Sequence, residues 1–218
     1  FNNIFFEPGF LPAMIIFIAL FMLPVISREL RENYPILFGY WFVLLLHQMV
    51  SFTNAYILRP RGDARGFQVF SEELAIYGEW SFGMGADFYR EFLALIYRWF
   101  GSSHLLGQQL SIVTFAFSCV IFLKIMRLLG VVRHRLSALI IFGALPSMLV
   151  FGTTTLRESY QLLFFMLAVY FGIKMHKKGG INAYLIAMVV SALIMGLFHK
   201  ALIVYAAFLT ILFILYEL

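Results

Sequence analysis

Long apolar runs, broken by short polar clusters, make up nearly the whole chain. Stretches without a charged residue cover 8–27, 35–58, 105–123, 136–156, 159–173, 181–199 and 201–216. A helix needs about 20 apolar residues to cross a hydrocarbon core of roughly 30 Å. Several runs meet that length; those from Ser159 and Ala201 fall a little short and must borrow flanking residues. In lipid a helix satisfies its own backbone hydrogen bonds, and the runs lack the apolar/polar alternation of outer-membrane barrel strands. The pattern predicts an all-α, polytopic transmembrane helical bundle of about seven spans, at 10–26, 35–57, 105–124, 138–154, 158–174, 181–198 and 201–217. Pro146 lies inside the fourth, where it kinks or breaks a helix. If that segment re-enters instead of crossing, every later span inverts.

The segment 58–104 is long but patterned. Phe67, Phe70, Leu74 and Tyr77 recur at helical spacing, with Glu72, Glu73 and Glu79 elsewhere on the helix or just beyond it. This predicts an amphipathic helix in the membrane interface. A turn at Gly83-Met84-Gly85 follows, with Asp87 as an expected N-cap. A second aromatic helix over 88–100 carries Arg90, Glu91 and Arg98 and is too short to span. Trp80, Trp99 and the nearby tyrosines suit interfacial depth. No internal repeat, low-complexity tract or soluble domain is visible. Residues 1–218 therefore read as one transmembrane domain, with 58–104 an external loop carrying two interfacial helices.

Charge sets the orientation. Residues are 62% hydrophobic and only 12% charged, and the mean hydropathy is +0.91. The formal net charge of +5 points to cytoplasmic loops and anionic lipid, not to nucleic acid. Arg28 and Arg31 lie in the first connection, Lys124, Arg127, Arg133 and Arg135 in the third, and Lys174, Lys177 and Lys178 in the fifth. These fall on one side, the cytoplasmic one by the Lys/Arg bias. The arginines of 58–104 weaken that bias, although long translocated loops obey it poorly. Cys119, the single cysteine, sits in an apolar run as a small packing residue. The chain starts at Phe1 and ends inside an apolar run, which reads as a fragment of a longer protein. Residues 10–26 imitate a signal peptide, but no small-residue cleavage site follows Ser27.

Threaded in this order, three polar clusters reach the same external face: Arg59 to Arg65 around Asp63, Arg157-Glu158, and His199-Lys200. Ionisable groups at the ends of membrane helices are costly unless they serve a purpose. Arg59, Arg61 and Arg65 favour an ionised Asp63, which then accepts a proton from a sugar hydroxyl or simply caps the helix that follows. The arginines also suit headgroup anchoring. Arg157 offers a planar donor fork for phosphate, and Thr153-Thr154-Thr155 are expected to cap the next helix and leave its N–H groups facing an anion. The plainer alternative is an Arg157–Glu158 pair stabilising a helix end. His199-Lys200 either marks a chain reversal or binds an anion. His47, mid-span beside Gln48, reads as a helix–helix hydrogen-bonding group.

Taken together, these residues resemble the C-type membrane glycosyltransferases, which use polyprenyl-phosphate-linked sugars. The matching stretches are Arg61-Gly62-Asp63-Ala64-Arg65-Gly66-Phe67 with the two helices after it, and Leu145-Pro146-Ser147 through Thr155-Leu156-Arg157-Glu158-Ser159. The second is closer to exopolysaccharide and O-antigen polymerases, as is Leu197-Phe198-His199-Lys200-Ala201-Leu202-Ile203. The resemblance covers about 35–205. It implies sugar transfer from a polyprenyl-(pyro)phosphate donor to a glycan acceptor at the external face of a bacterial inner membrane. Asp63 would be the catalytic base; Arg157, His199, Lys200, Arg59, Arg61 and Arg65 would bind phosphate, and Glu158 would orient Arg157. Asp63 belongs to no Asp-x-Asp or Glu-x-Asp pair, which argues against a divalent metal, so no cofactor is expected. Family members usually have more spans. A non-catalytic membrane subunit or scaffold is the alternative, which other membrane proteins would cover. A transporter is weaker, because mid-span ionisable residues for ion coupling are nearly absent.

Overall fold

A computed structural model describes residues 7–31, 33–58, 61–78, 80–81, 83–179 and 182–217. Among them every regular element is helical: α1 (Phe10–Ile26), α2 (Arg28–Arg31), α3 (Tyr34–Thr53) continued by a π-helical turn (Asn54–Leu58), α4 (Gly62–Tyr77), α5 (Ala86–Phe100), α6 (His104–Leu128), α7 (Arg135–Ala144), α8 (Pro146–Thr153), α9 (Glu158–Lys178), α10 (Ala183–Phe198) and α11 (Leu202–Glu217). Each apolar run is helical, but fewer than seven qualify as spans by length and composition. Among the described residues Tyr34–Leu58 and His104–Leu128 are long and apolar enough to cross a membrane. The bent pair α7–α8 makes a third if counted as one span, and α1, α10 and α11 are shorter apolar helices.

Pro146 decides the bent pair. The residue before a proline is pushed out of the helical region, and Leu145 is extended at φ −56°, ψ 132°. Pro146 then opens α8 at a position where its missing N–H costs nothing. The two halves meet at 65°.

Helix α6 forms the spine. Much of its length packs with α1, α3 and α7 around Leu20, Tyr40, Leu44, Phe115, Leu123 and Leu139. Its first turn joins a second cluster containing Phe67 of α4, Tyr89 and Tyr97 of α5, Tyr160 of α9 and Phe198 of α10. A third cluster binds α9, α10 and α11 through Ala168, Met188, Met195 and Leu209. Large apolar side chains remain exposed on the outside, including Ile15 and Ile18 of α1, Phe38 and Met49 of α3, and Val204 and Ile211 of α11. A water-soluble protein seldom exposes so continuous an apolar surface, whereas lipid covers it without cost.

Several polar groups inside the bundle are paired across helices. Gln48 and Gln109 exchange amide hydrogen bonds at 2.9 and 2.6 Å. Ser51 donates to Gln108 at 2.8 Å, and His47 Nε2 bonds the Gly143 carbonyl at 2.9 Å. His47 is thus the interhelical hydrogen-bonding group its position suggested, stacked on Phe115. Cys119 is buried in the first cluster.

The expected amphipathic helices exist, with a different buried stripe on the first. Ala64, Phe67, Gln68 and Ser71 face inward on α4, while Phe70 and Tyr77 are exposed. The inward face contains small and polar groups because Gln68 meets the hydroxyl of Tyr97 on α5, which donates to it at 2.6 Å. Asp87 is not the N-cap of α5. Gly85 is, and Asp87 sits in the first turn, paired with Arg90 at 3.1 Å.

The α5–α6 turn holds the segment that precedes α1. Gly101 has φ +78°, and a Cβ there would fall 2.3 Å from Pro8 Cβ. Gly9 N–H donates to the Ser102 carbonyl at 3.2 Å. Gly101→Ala is therefore expected to destabilise by about 2–3 kcal/mol, from left-handed backbone strain and overpacking. A thermal unfolding series in detergent checks this, with Gly130→Ala, also at positive φ but in open space, isolating the steric part.

Candidate functional site

The π-helical turn that ends α3 brings Asn54 and Leu58 to the rim of the bundle. Asn54 Nδ2 donates to Thr153 Oγ1 at 3.5 Å, joining the end of α3 to the end of α8. Helix α4 starts from Gly62, whose φ of +57° reverses the chain after the extended Arg61. Asp63 therefore lies within the first turn of α4 and is not its N-cap. A carboxylate there suits the positive end of the helix macrodipole. Its side chain is exposed, and among the described residues it has no ion-pair partner. Of the arginines expected around it, Arg61 and Arg65 form no ion pair with it. Arg61 and Arg65 are exposed, and Arg59 lies outside the described residues.

These groups line a cavity of about 570 Å³. Asn54, Leu58, Arg61, Asp63 and Ala64 form one wall; Val150, Phe151, Thr154, Leu156 and Glu158 form the other. A second cavity of about 310 Å³ continues between α8, α9, α10 and α11, lined by Met148, Leu162, Phe165, Met195, Leu202 and Tyr205 among others. Phe151 and Glu158 belong to both walls. The two cavities therefore adjoin: the first carries Arg61, Asp63 and Glu158 among apolar groups, and the second is largely apolar.

Two of the expected helix-capping groups act otherwise. Thr153 and Thr154 donate their hydroxyls back to Leu149 and Val150 of α8 at 2.6 Å each. Intrahelical carbonyls are closer than the next helix, so these side chains turn back. Arg157 precedes α9 without a capping side chain, and Glu158 occupies its first turn.

Arg157 and Glu158 are neighbours but not tightly paired. Their closest approach is 3.9 Å, and the buried Arg157 Nε and Glu158 Oε2 have no hydrogen-bond partner. Arg157 Nη1 donates to the Phe198 carbonyl at 3.4 Å, and its guanidinium lies 5.9 Å from the Phe67 ring centre. Lys200 comes to the same place. A methyl at Gly85 would stand 3.7 Å from both Arg157 Nη1 and Lys200 Cγ. Gly85 N–H donates to the Leu197 carbonyl at 2.7 Å, tying the α4–α5 hairpin to the α10–α11 turn. Arg157 and Lys200 therefore gather beside Gly85, while Arg61, Asp63 and Glu158 gather in the cavity. His199 joins neither group; its Nδ1 accepts from the Ala201 N–H at 3.3 Å, which stabilises the chain reversal.

A further titratable group lies at this end of the bundle. Burial raises the Glu7 carboxyl above its usual range, with His104 opposing and Glu72 adding to the rise. Glu72 accepts from Gln68 at 2.6 Å. Nothing in the local sequence marked Glu7, since its neighbours come from the start of α6 and the middle of α4. Among the described residues no group of three or more His, Cys, Asp or Glu side chains is placed to hold a metal ion. No protein-family model, curated protein or solved structure matches the chain.

Proposed function

We propose that the chain is a multi-pass membrane glycosyltransferase or polysaccharide polymerase that draws sugar from a polyprenyl-(pyro)phosphate donor. The adjoining cavities carry this reading. An amphiphile with a phosphate-linked sugar head and an isoprenoid tail needs charged groups beside an apolar groove, and Arg61, Asp63 and Glu158 line the first cavity next to the largely apolar second. An acceptor hydroxyl attacks the anomeric carbon, and Asp63 takes its proton. The anomeric C–O bond breaks with its electron pair leaving on the phosphate, so the configuration inverts. Arg61 in the chamber offsets the negative charge of the departing phosphate. A scaffold would leave no reason for this chamber between α3, α4, α8 and α9.

All seven apolar helices cross the bilayer in this reading, the short ones extended by flanking residues, and the cavity faces outward at the bacterial plasma membrane. The gathering of the first, third and fifth connections at the opposite end supports it: Glu29 pairs with Arg127 and Arg135 there, and Lys177 donates to the Leu128 carbonyl.

A photoactivatable polyprenyl phosphate is expected to crosslink mainly to α8 and α9, around Phe151 and Leu162. Phe151→Trp, which fills the junction of the two chambers, is expected to cut that labelling several-fold. Labelling spread over the outer faces of α1 and α11, and unchanged by that substitution, would overturn the proposal.

A further inference from the structure

The end of the bundle farthest from the cavity carries an arrangement that sugar transfer does not use. Helix α9 has 21 residues from Glu158 to Lys178, so at about 1.5 Å per residue Lys174 and Lys178 stand roughly 24 and 30 Å from Glu158. That is about one hydrocarbon thickness. There Lys124 of α6 and Lys174 of α9 share the ring of Tyr170, at 6.0 and 5.0 Å from its centre. Lys174 and Lys178 also share the ring of Tyr184, at 5.2 and 5.8 Å. Three ammonium groups are thus held close together, within about a Debye length of their neighbours.

Like charges so placed repel. Among side chains described at this end, Glu29 is the carboxylate, and Arg127 and Arg135 occupy it at 2.9 and 2.5 Å. Tyr170 and Tyr184 offer ring faces but no negative charge. Lys177 is engaged with the Leu128 carbonyl. The tyrosine rings hold the three ammonium groups at the depth where aromatic residues meet lipid headgroups.

The geometry points to a binding site for one anionic phospholipid of the leaflet opposite the cavity, its phosphate between Lys124 and Lys174 and its acyl chains along α6 and α9. Charge complementarity selects the headgroup, and the apolar helix surfaces below take the chains. The site is independent of sugar transfer and stands whether or not that reading holds.

Native mass spectrometry of the full chain, titrated with phosphatidylglycerol and phosphatidylcholine from detergent micelles, tests it. The parental chain is expected to retain phosphatidylglycerol preferentially. K124Q/K174Q is expected to weaken that retention at least tenfold. R98Q/R133Q removes the same charge from residues outside the cluster and is expected to leave retention within about twofold. No preference for the anionic lipid would overturn the site. Equal losses in both double variants would reduce it to general surface charge, and that also overturns it. Displacement of the lipid by soluble glycerol phosphate at comparable concentration would show a free-phosphate site and refute the lipid assignment.

Discussion

Asp63→Asn is expected to cut sugar transfer by about 10²–10⁴-fold, the contribution of a positioned general base, while leaving the fold intact. The asymmetry follows from where Asp63 sits. Its side chain is exposed and has no ion-pair partner among the described residues. Asn keeps its shape, so the substitution removes only a favourable helix-dipole contact of about 0.3–1 kcal/mol. What Asn cannot do is take a proton from an acceptor hydroxyl in the chamber shared with Arg61 and Glu158. The measurement is initial transfer rate from a radiolabelled polyprenyl-linked donor, beside a melting curve. Unchanged turnover with an unchanged melting temperature would remove Asp63 from the chemistry. Arg65→Gln lies two residues further along α4 and lines no wall of the chamber, and its transfer rate is expected to stay within a few-fold.

The helices were readable from hydrophobic runs because each buries or exposes a whole cylinder of apolar side chains, and period and length survive without knowledge of partners. The break at Pro146 was readable for the same local reason. Side-chain partners were not. Gln108 and Gln109 interrupt an apolar run without adding charge, and only the approach of α3 shows that they answer Ser51 and Gln48. Thr153 and Thr154 occupied cap-like positions in sequence, but their own helix offered carbonyls first. The candidate site was legible in part. Asp63 and Glu158 share a chamber, whereas Arg157 and Lys200 meet at Gly85 instead. That division depends on the α4–α5 hairpin closing against the end of α10, a long-range contact no local pattern encodes. The π-helical turn at Asn54–Leu58, which shapes one wall, also has no periodic signature.

Glu29→Ala is expected to be the most damaging single change to stability. Glu29 is 6% exposed and accepts from Arg135, itself 5% exposed, at 2.5 Å. Without Glu29 the Arg135 guanidinium keeps, among the described residues, the long contact to the Leu123 carbonyl at 3.4 Å. A buried charge left in this way costs about 3–5 kcal/mol, which lowers the melting temperature of a chain this size by roughly 6–20 °C. The other partner behaves differently. Arg127 has a side chain 40% exposed, and Arg127→Gln is expected to cost no more than about 1 kcal/mol. Replacing both buried ions together, as E29M/R135M, is expected to recover most of the loss, because packed apolar groups of similar volume substitute well for a buried pair. A double variant as unstable as Glu29→Ala would mean that the ion pair itself, not the stranded arginine, fixes the contact of α2 with α7. Since this pair joins α2 to the start of α7, away from the chamber, transfer per folded molecule is expected to be unaffected in each variant. Stability and chemistry are thereby separated by their positions at opposite ends of one bundle.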